Sequence, residues 1–230
     1  MTTRYEYLLA VENLVGGEIP LGEAEKSLAV DLAVKEHARY RPRVVAEDVT
    51  GDGGFDYPLS DLASWSEGFS AVRSVEYPVD DDDEYADVLL EEQWRIYRKP
   101  AGRVLRLLED TPDTDEELRV TYTALHTCTD STCTVETIDE EAVQALAAGY
   151  FCGMLATYYA QSTDSTIAAD SVEHTSKSRE YAARAKAYRK VYFDHLGIKE
   201  GQRKPASITR DQDTIPSWRT DHLTHPRRHR

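Results

Sequence analysis

Two segments decide the fold of this chain: DEEAVQALAAGYFCGMLATYYA (residues 139–160) and KSREYAARAKAYRKVYFDHL (residues 177–196). In both segments, apolar residues recur with the period of an amphipathic helix. They are Val143, Leu146, Ala147, Tyr150, Phe151, Met154, Leu155, Tyr158 and Tyr159 in the first, and Tyr181, Ala185, Tyr188, Tyr192 and Leu196 in the second. The pattern predicts two long helices, the first with Asp139 as its N-cap and the second ending at Gly197.

The other face of the first helix carries small residues: Ala145, Gly149, Cys152, Gly153 and Ala156. A glycine inside a helix costs about 1 kcal/mol relative to alanine. The two glycines therefore predict that another backbone packs closely against this face. We expect Ala145, Gly149 and Gly153 to lie at a contact between subunits.

The outer face of the second helix is basic, although the protein as a whole is acidic. Its cations are Lys177, Arg179, Arg184, Lys186, Arg189 and Lys190. Contact with DNA phosphates is one function open to such a face. Contact with an acidic neighbouring subunit is the function that we favour, and we assign it to Lys177, Arg184, Lys186 and Arg189.

The chain also begins with helical patterns. Residues 3–15 predict a short helix that ends at Gly16. Residues 21–40 predict a second helix that Pro42 ends. Its helical period is marked on successive turns by Ala24, Leu28, Leu32 and Lys35 or Glu36.

Between these helices and the long pair, the apolar pattern changes to the alternation of β-strands. Residues 44–57 predict a hairpin around the glycine-rich turn TGDGG (50–54), and further strands are predicted at 71–77, 94–98, 104–108 and 118–124. The predicted fold class is therefore α+β, a helical bundle with an inserted antiparallel β domain and an extended C-terminal arm. The expected divisions are N-terminal helices (1–42), β domain (43–127), C-terminal helix pair (128–197) and arm (198–230).

Charge is distributed unevenly along the chain. The net charge is −15, yet residues 197–230 contain eight Lys or Arg and four acids, so this tail carries +4 and the remainder −19. With its prolines and few aliphatic residues, the tail alone is predicted to be disordered and to bind an acidic partner. No apolar run approaches the ~20 residues of a membrane helix, and no secretory signal pattern is present, so we expect no membrane association.

Several short motifs are candidates for sites of chemistry. His126, Cys128 and Cys133 supply only three potential zinc ligands, and the acidic run at 80–84 lacks the glycine of a calcium loop. The glycines at 51–54 are not followed by the Gly-Lys-Ser/Thr of a phosphate-binding loop. No nucleophile motif is present. We therefore expect no catalytic residue, no metal and no cofactor.

Four stretches carry a resemblance to a known family: residues 32–42, the turn at 49–57, the segment 65–78 and the strand 120–126. They resemble virion proteins of tailed bacteriophages. The predicted helix pair, 145–160 and 176–196, is similar to the helical core of head-tail connector proteins, the neck adaptors beneath the portal. The resemblance covers about residues 20–197.

The resemblance implies a structural virion protein that is made in the host cytoplasm and sits in the neck between head and tail. It implies a ring, commonly of twelve copies, that binds the portal protein and other neck or tail-completion proteins and encloses passing genomic DNA without sequence specificity. It also implies a C-terminal arm that reaches the portal. The residues expected in that arm are Arg203, Lys204, Ile208, Arg210, Ile215, Trp218 and Arg219.

Two alternatives remain open at this point. One is a tail terminator or stopper protein of the neck, which also forms rings but is mostly β. The other is a soluble ligand-binding module or enzyme with a β pocket lined by Trp65, Trp94 and Tyr97.

Overall fold

The computed structural model describes residues 3–16, 20–79, 87–161 and 170–201. The described residues form four helices and six strands. The helices are α1 Arg4–Val15, α2 Glu23–Tyr40, α3 Thr137–Gln161 and α4 Asp170–Leu196; the strands are β1 Arg43–Thr50, β2 Asp56–Pro58, β3 Val72–Glu76, β4 Trp94–Lys99, β5 Gly102–Leu107 and β6 Glu117–Ala124. The fold class is α+β with a helical core, as predicted. The predicted arm residues, 203–219, lie outside the described residues.

The helical core is built around α3, which packs against α1, α2 and α4. Phe151, Leu146 and Leu155 of α3 are fully buried, together with Tyr7 of α1 and Tyr192 of α4. Most of the apolar pattern predicted for α3 is therefore confirmed. Among the described residues, no helix combines the length and the apolar character that crossing a bilayer requires.

The buried side of α2 is not the row of residues that marks its helical period in the sequence. Leu28 is 51% exposed, and the buried positions are Ala29, Val30, Ala33, Val34, His37 and Ala38. These residues share a helical face too, but they are smaller than the leucines that guided the prediction. Because small side chains let α2 approach α3 closely, the buried face is the alanine and valine face rather than the leucine face.

The β module, residues 43–124, consists of two three-stranded antiparallel sheets with the strand orders β1-β6-β3 and β2-β5-β4. Both sheets contribute to one apolar core, for example through Val120 and Tyr122 from the first and Leu105 and Leu107 from the second. The strands predicted at 94–98 and 104–108 are present as β4 and β5, which pair as a hairpin.

The hairpin predicted for residues 44–57 is wrong. β1 pairs with β6 and β2 pairs with β5, so the glycine-rich segment crosses from one sheet to the other. A Cβ on Gly51 would lie 2.2 Å from the carbonyl oxygen of Asp113. This glycine therefore permits a close approach to the β5–β6 connection, and its N–H donates to the Glu116 carbonyl at 2.8 Å.

Candidate functional site

The long helices α3 and α4 meet at Gly149. A Cβ at this position would lie 3.3 Å from the carbonyl oxygen of Ala185 and 3.3 Å from the Cβ of Tyr188. The predicted close approach of another backbone is confirmed, and α4 of the same chain makes it. Ala145 is also buried, whereas Gly153 is partly exposed and a Cβ there would meet nothing within 4 Å. Of these three residues, only Gly153 is accessible at the surface of the single chain.

Three of the cations predicted for a subunit contact are engaged within the chain. Arg189 forms ion pairs with Glu36 of α2 at 3.2 Å and with Glu200 at 2.9 Å. Arg184 donates to the carbonyl oxygen of Val15 at 3.1 Å and pairs with Glu180 at 2.5 Å. The Lys177 ammonium lies 5.7 Å from the centre of the Tyr159 ring. These contacts attach α4 to α1, α2 and α3.

Other cations of α4 are exposed and have no partner among the described residues. They are Arg179, Lys186 and Lys190, which follow one another at spacings of seven and four and so share one helical face. The buried residues Tyr192 and Leu196 lie on the opposite side of the helix. We call these three residues the cationic face of α4. Only Lys186 belongs to the residues predicted for the subunit contact.

A buried polar network joins α2, α3 and α4 at Asp139, whose side chain is 1% exposed. Its carboxylate accepts from the Arg41 guanidinium at 2.5 Å and from His195 Nε2 at 2.7 Å, and His37 Nε2 lies 3.5 Å away. Burial alone would raise the pKa of Asp139, but the hydrogen bonds from Arg41 and His195 outweigh it and the pKa is lowered. The predicted N-cap role of Asp139 is wrong because α3 begins at Thr137 and places it in the first turn.

The network continues through His37, which the sequence analysis did not single out. Its Nδ1 lies 3.1 Å from the Tyr192 hydroxyl, and its ring centre lies 5.1 Å from that of His126. The nitrogens of His126 are in turn engaged with the carbonyl oxygens of Thr134 at 2.9 Å and Arg41 at 2.8 Å. His37 follows Ala33 by four residues and Val34 by three, and this helical spacing was the signal in the sequence that it lies in the core.

The candidate chemical sites named from the sequence are not assembled among the described residues. No group of three or more His, Cys, Asp or Glu side chains among the described residues is arranged to hold a metal. Cys128 and Cys133 face each other across an isolated antiparallel bridge as free thiols. The acidic run 80–84 lies outside the described residues.

The aromatic residues proposed to line a β pocket serve different parts of the module. Trp65 packs on Tyr122 with ring centres 5.6 Å apart, and Trp94 packs against the same apolar core. Tyr97 is 49% exposed on β4, with the Arg106 guanidinium 4.5 Å from its ring centre. Their positions are those of core and surface residues rather than of a shared pocket.

The buried histidine makes stability depend on pH. Burial and the electrostatic interactions with His126, Arg41 and His195 lower the pKa of His37 to about 4, although Asp139 opposes this shift. Between the usual pKa of about 6.5 and this value, the unfolded chain binds a proton that the folded chain does not. Proton binding therefore favours the unfolded chain below pH ~6.5. The free energy of unfolding falls with the pH, by about 2 kcal/mol near pH 5.

Urea unfolding at pH ~8 and pH ~5 measures this loss, with His37→Gln as the comparison. Glutamine has no proton to gain in this range, so the variant should lose about 2 kcal/mol less than the parent chain between the two pH values. Equal losses in the two proteins would assign the acid sensitivity to other groups.

Comparisons with known proteins found similarity in structure. No protein-family model matches the sequence, and no curated protein matches it. A chain from a structure described as "Neck of empty GTA particle computed with C6 symmetry" is similar over 73% of this chain and 82% of that chain, with 17% sequence identity and a TM-score of 0.29. At this identity and TM-score the match carries no argument about function.

Proposed function

We propose that this chain is a structural virion protein, a head-to-tail adaptor that forms a ring under the portal and extends the DNA channel. Its partners in this proposal are the portal protein, further copies of itself and other neck or tail-completion proteins. It has no catalytic role. The sequence resemblance to neck adaptors supplies the class of particle, and the surface of α4 supplies the physical argument.

The observation that carries the proposal is the cationic face of α4. Arg179, Lys186 and Lys190 lie opposite the buried face of that helix, on a protein whose net charge is −15. Three aligned charges without partners among the described residues suit contact with an acidic surface, and the acidic body of another copy offers one. In a ring, each copy presents two different patches to its two neighbours, so a basic face and an acidic body are complementary.

The end of α4 also gives the point from which the C-terminal segment starts. Gly197 ends the helix with φ +67°, and Ile198 then packs against the helical core. Residue 201, the last that the structure describes, therefore follows α4 directly, and the basic segment 202–230 continues from there. In our proposal this segment is the arm that docks on the portal.

An acidic channel surface is compatible with DNA that slides through the ring. Phosphates are repelled by carboxylates, so a body of net charge −19 does not retain DNA by unspecific attraction. This argument applies to the body, residues 1–196, and leaves the basic arm free to contact the portal.

Deletion of residues 202–230 tests the arm. The deletion keeps Ile198 and Glu200, which contact the body, so the unfolding transition should stay within about 0.5 kcal/mol of the parent chain. Binding to purified portal rings in a co-sedimentation assay should fall to background. A truncated chain that sediments with portal rings as well as the parent does would contradict the assignment of the arm.

Substitutions within the full-length chain separate two ways in which the arm can bind. Ile208→Ser, Ile215→Ser and Trp218→Ser together remove its apolar anchors, whereas Arg203→Ser, Lys204→Ser and Arg210→Ser together remove charge. The loss of binding caused by removing charge should become smaller as the salt concentration rises, because screening also weakens the charge contacts of the parent chain. The loss caused by removing the apolar anchors should not change with salt.

A further inference from the structure

The β module carries a basic turn, residues 98–103 with Arg98, Lys99 and Arg103, at one end of β5. Residues 94–107, which form β4, the turn and β5, contain five cations and no acid: Arg95, Arg98, Lys99, Arg103 and Arg106. Asp56 pairs with both Lys99 and Arg106 at 2.6 Å, and Glu67 pairs with Arg103 at 3.0 Å. Two carboxylates therefore neutralise part of this charge and leave the hairpin with +3. Lys99 and Arg103 of the turn are paired, and Arg95 and Arg106 lie opposite each other near the other end of β5. Arg98, at the turn, is exposed and has no partner among the described residues.

The opposite end of β5 leads into an acidic loop, residues 108–117. The loop contains six acids and no cation: Glu109, Asp110, Asp113, Asp115, Glu116 and Glu117. All six side chains are exposed, and none forms an ion pair with a described residue. The loop is thus an unneutralised surface of opposite sign to the basic turn.

The acidic loop is held in a defined shape. Gly53 N–H donates to the Pro112 carbonyl at 3.0 Å, the Tyr77 hydroxyl donates to the Glu116 carboxylate at 2.5 Å, and the Asp113 N–H donates to the same carboxylate at 2.9 Å. A surface that is ordered before binding loses less entropy when a partner docks. The loop therefore resembles a preformed contact surface more than a flexible acidic linker.

The two surfaces cannot neutralise each other within one chain. β5 runs from Gly102 to Leu107 between them, and at about 3.3 Å per residue its ends lie about 17 Å apart. This separation exceeds the combined reach of an arginine and a glutamate side chain. A second copy that is placed head to tail brings the basic turn of one chain onto the acidic loop of the next.

We propose that the basic turn, with Arg98 as its unpaired cation, docks on the acidic loop of a neighbouring copy of this chain. Exposed apolar residues lie beside both surfaces, Ile96 and Tyr97 near the turn and Leu108 at the loop, and add apolar area to the contact. Because the two surfaces differ, the contact is heterologous and repeats around a ring. The assignment rests on the proposed ring and names the surfaces that the β modules use in it.

DNA is the other polyanion that a basic turn attracts. The acidic loop argues for a protein partner, since it stands on the same module and repels phosphate. A second copy can bind both surfaces, whereas DNA can bind only the basic one.

Complementary charge reversal in the full-length chain tests this contact. Arg98→Glu reverses the turn, and Asp115→Lys reverses the loop; neither residue has a partner among the described residues, so both variants should fold. Sedimentation velocity at low ionic strength should show self-association about tenfold weaker for each variant alone than for the parent. An equimolar mixture should recover the association, because the new glutamate in the turn of one variant then faces the new lysine in the loop of the other.

The controls separate this contact from general charge effects. Lys35→Glu makes the same charge change at an exposed position of α2 and should leave self-association unchanged. Raising the salt concentration should weaken the association of the parent chain. The proposal would be overturned if the mixture associated as weakly as its components or if the parent chain remained monomeric. It would also be overturned if Arg98→Glu lost binding to duplex DNA but kept the self-association of the parent. None of these measurements uses portal rings, so their outcome is independent of the experiment on the arm.

Discussion

Gly149→Leu should lower the free energy of unfolding by about 3 kcal/mol. Even a Cβ at this position lies 3.3 Å from the Ala185 carbonyl and from the Tyr188 Cβ, and the three further carbons of leucine have no space between α3 and α4. The obstacle is partly backbone, so relief requires α4 to move away from α3. That movement would also disturb the ion pair between Glu36 and Arg189, the residue that follows Tyr188 in α4.

Gly153→Leu is the matched control, because it makes the same substitution one helical turn later in α3. A Cβ there meets nothing within 4 Å, and leucine has a higher helix propensity than glycine, so stability should be unchanged or rise by up to about 1 kcal/mol. Urea unfolding of both variants measures the difference. Equal destabilisation of the two would show that the effect comes from the surface leucine rather than from the α3–α4 contact.

Asp139→Ala should cost about 3 kcal/mol of stability at neutral pH. The substitution removes the acceptor of both Arg41 and His195 from a buried site, and breaking a buried charge pair costs about 3–5 kcal/mol. We expect the lower end of this range because the Arg41 side chain is 36% exposed and regains water. Since His195 lies in the last turn of α4, the substitution should also loosen the end of that helix, which hydrogen exchange of residues 190–196 measures.

Asp31→Ala provides the comparison for this prediction. Asp31 also pairs with an arginine of the helical core, Arg4, at 2.7 Å, but its side chain is 55% exposed. An exposed pair contributes about 0.2–1 kcal/mol, so this loss should be several-fold smaller than that of Asp139→Ala. Similar losses at the two positions would mean that burial does not set the strength of the Asp139 network.

Local periodicity was sufficient to predict the helices. The long pattern of α3 and the glycine after Leu196 gave the two long helices and the end of the second, and the alternation of residues 118–124 gave β6. Strand pairing was harder to predict because it depends on distant segments. Thr50 and Asp56 are near neighbours in the sequence, but β1 pairs with β6 and β2 with β5, and no pattern within residues 44–57 encodes those partners.

The polar network also illustrates what periodicity omits. Asp139 stands at a helix start, where an acidic residue has a local explanation, and its actual partners Arg41 and His195 are 98 and 56 residues away. Likewise, the cations of α4 could be recognised as a basic face, but which of them pair within the chain depends on Glu36 and Val15. The subunit contact and the portal-binding arm stay predictions.

The pairing of Arg43 with Ala124 has a consequence for how this protein can vary. The first residue of β1 and the last residue of β6 are partners, so the chain leaves the helical core and returns to it at neighbouring points. A segment with adjacent ends can lengthen, shorten or be exchanged without moving the elements on either side of it. Relatives of this chain can therefore keep the α1–α4 framework and carry β modules of different size, which would change the surface offered to neighbours while leaving the packing around α3 intact.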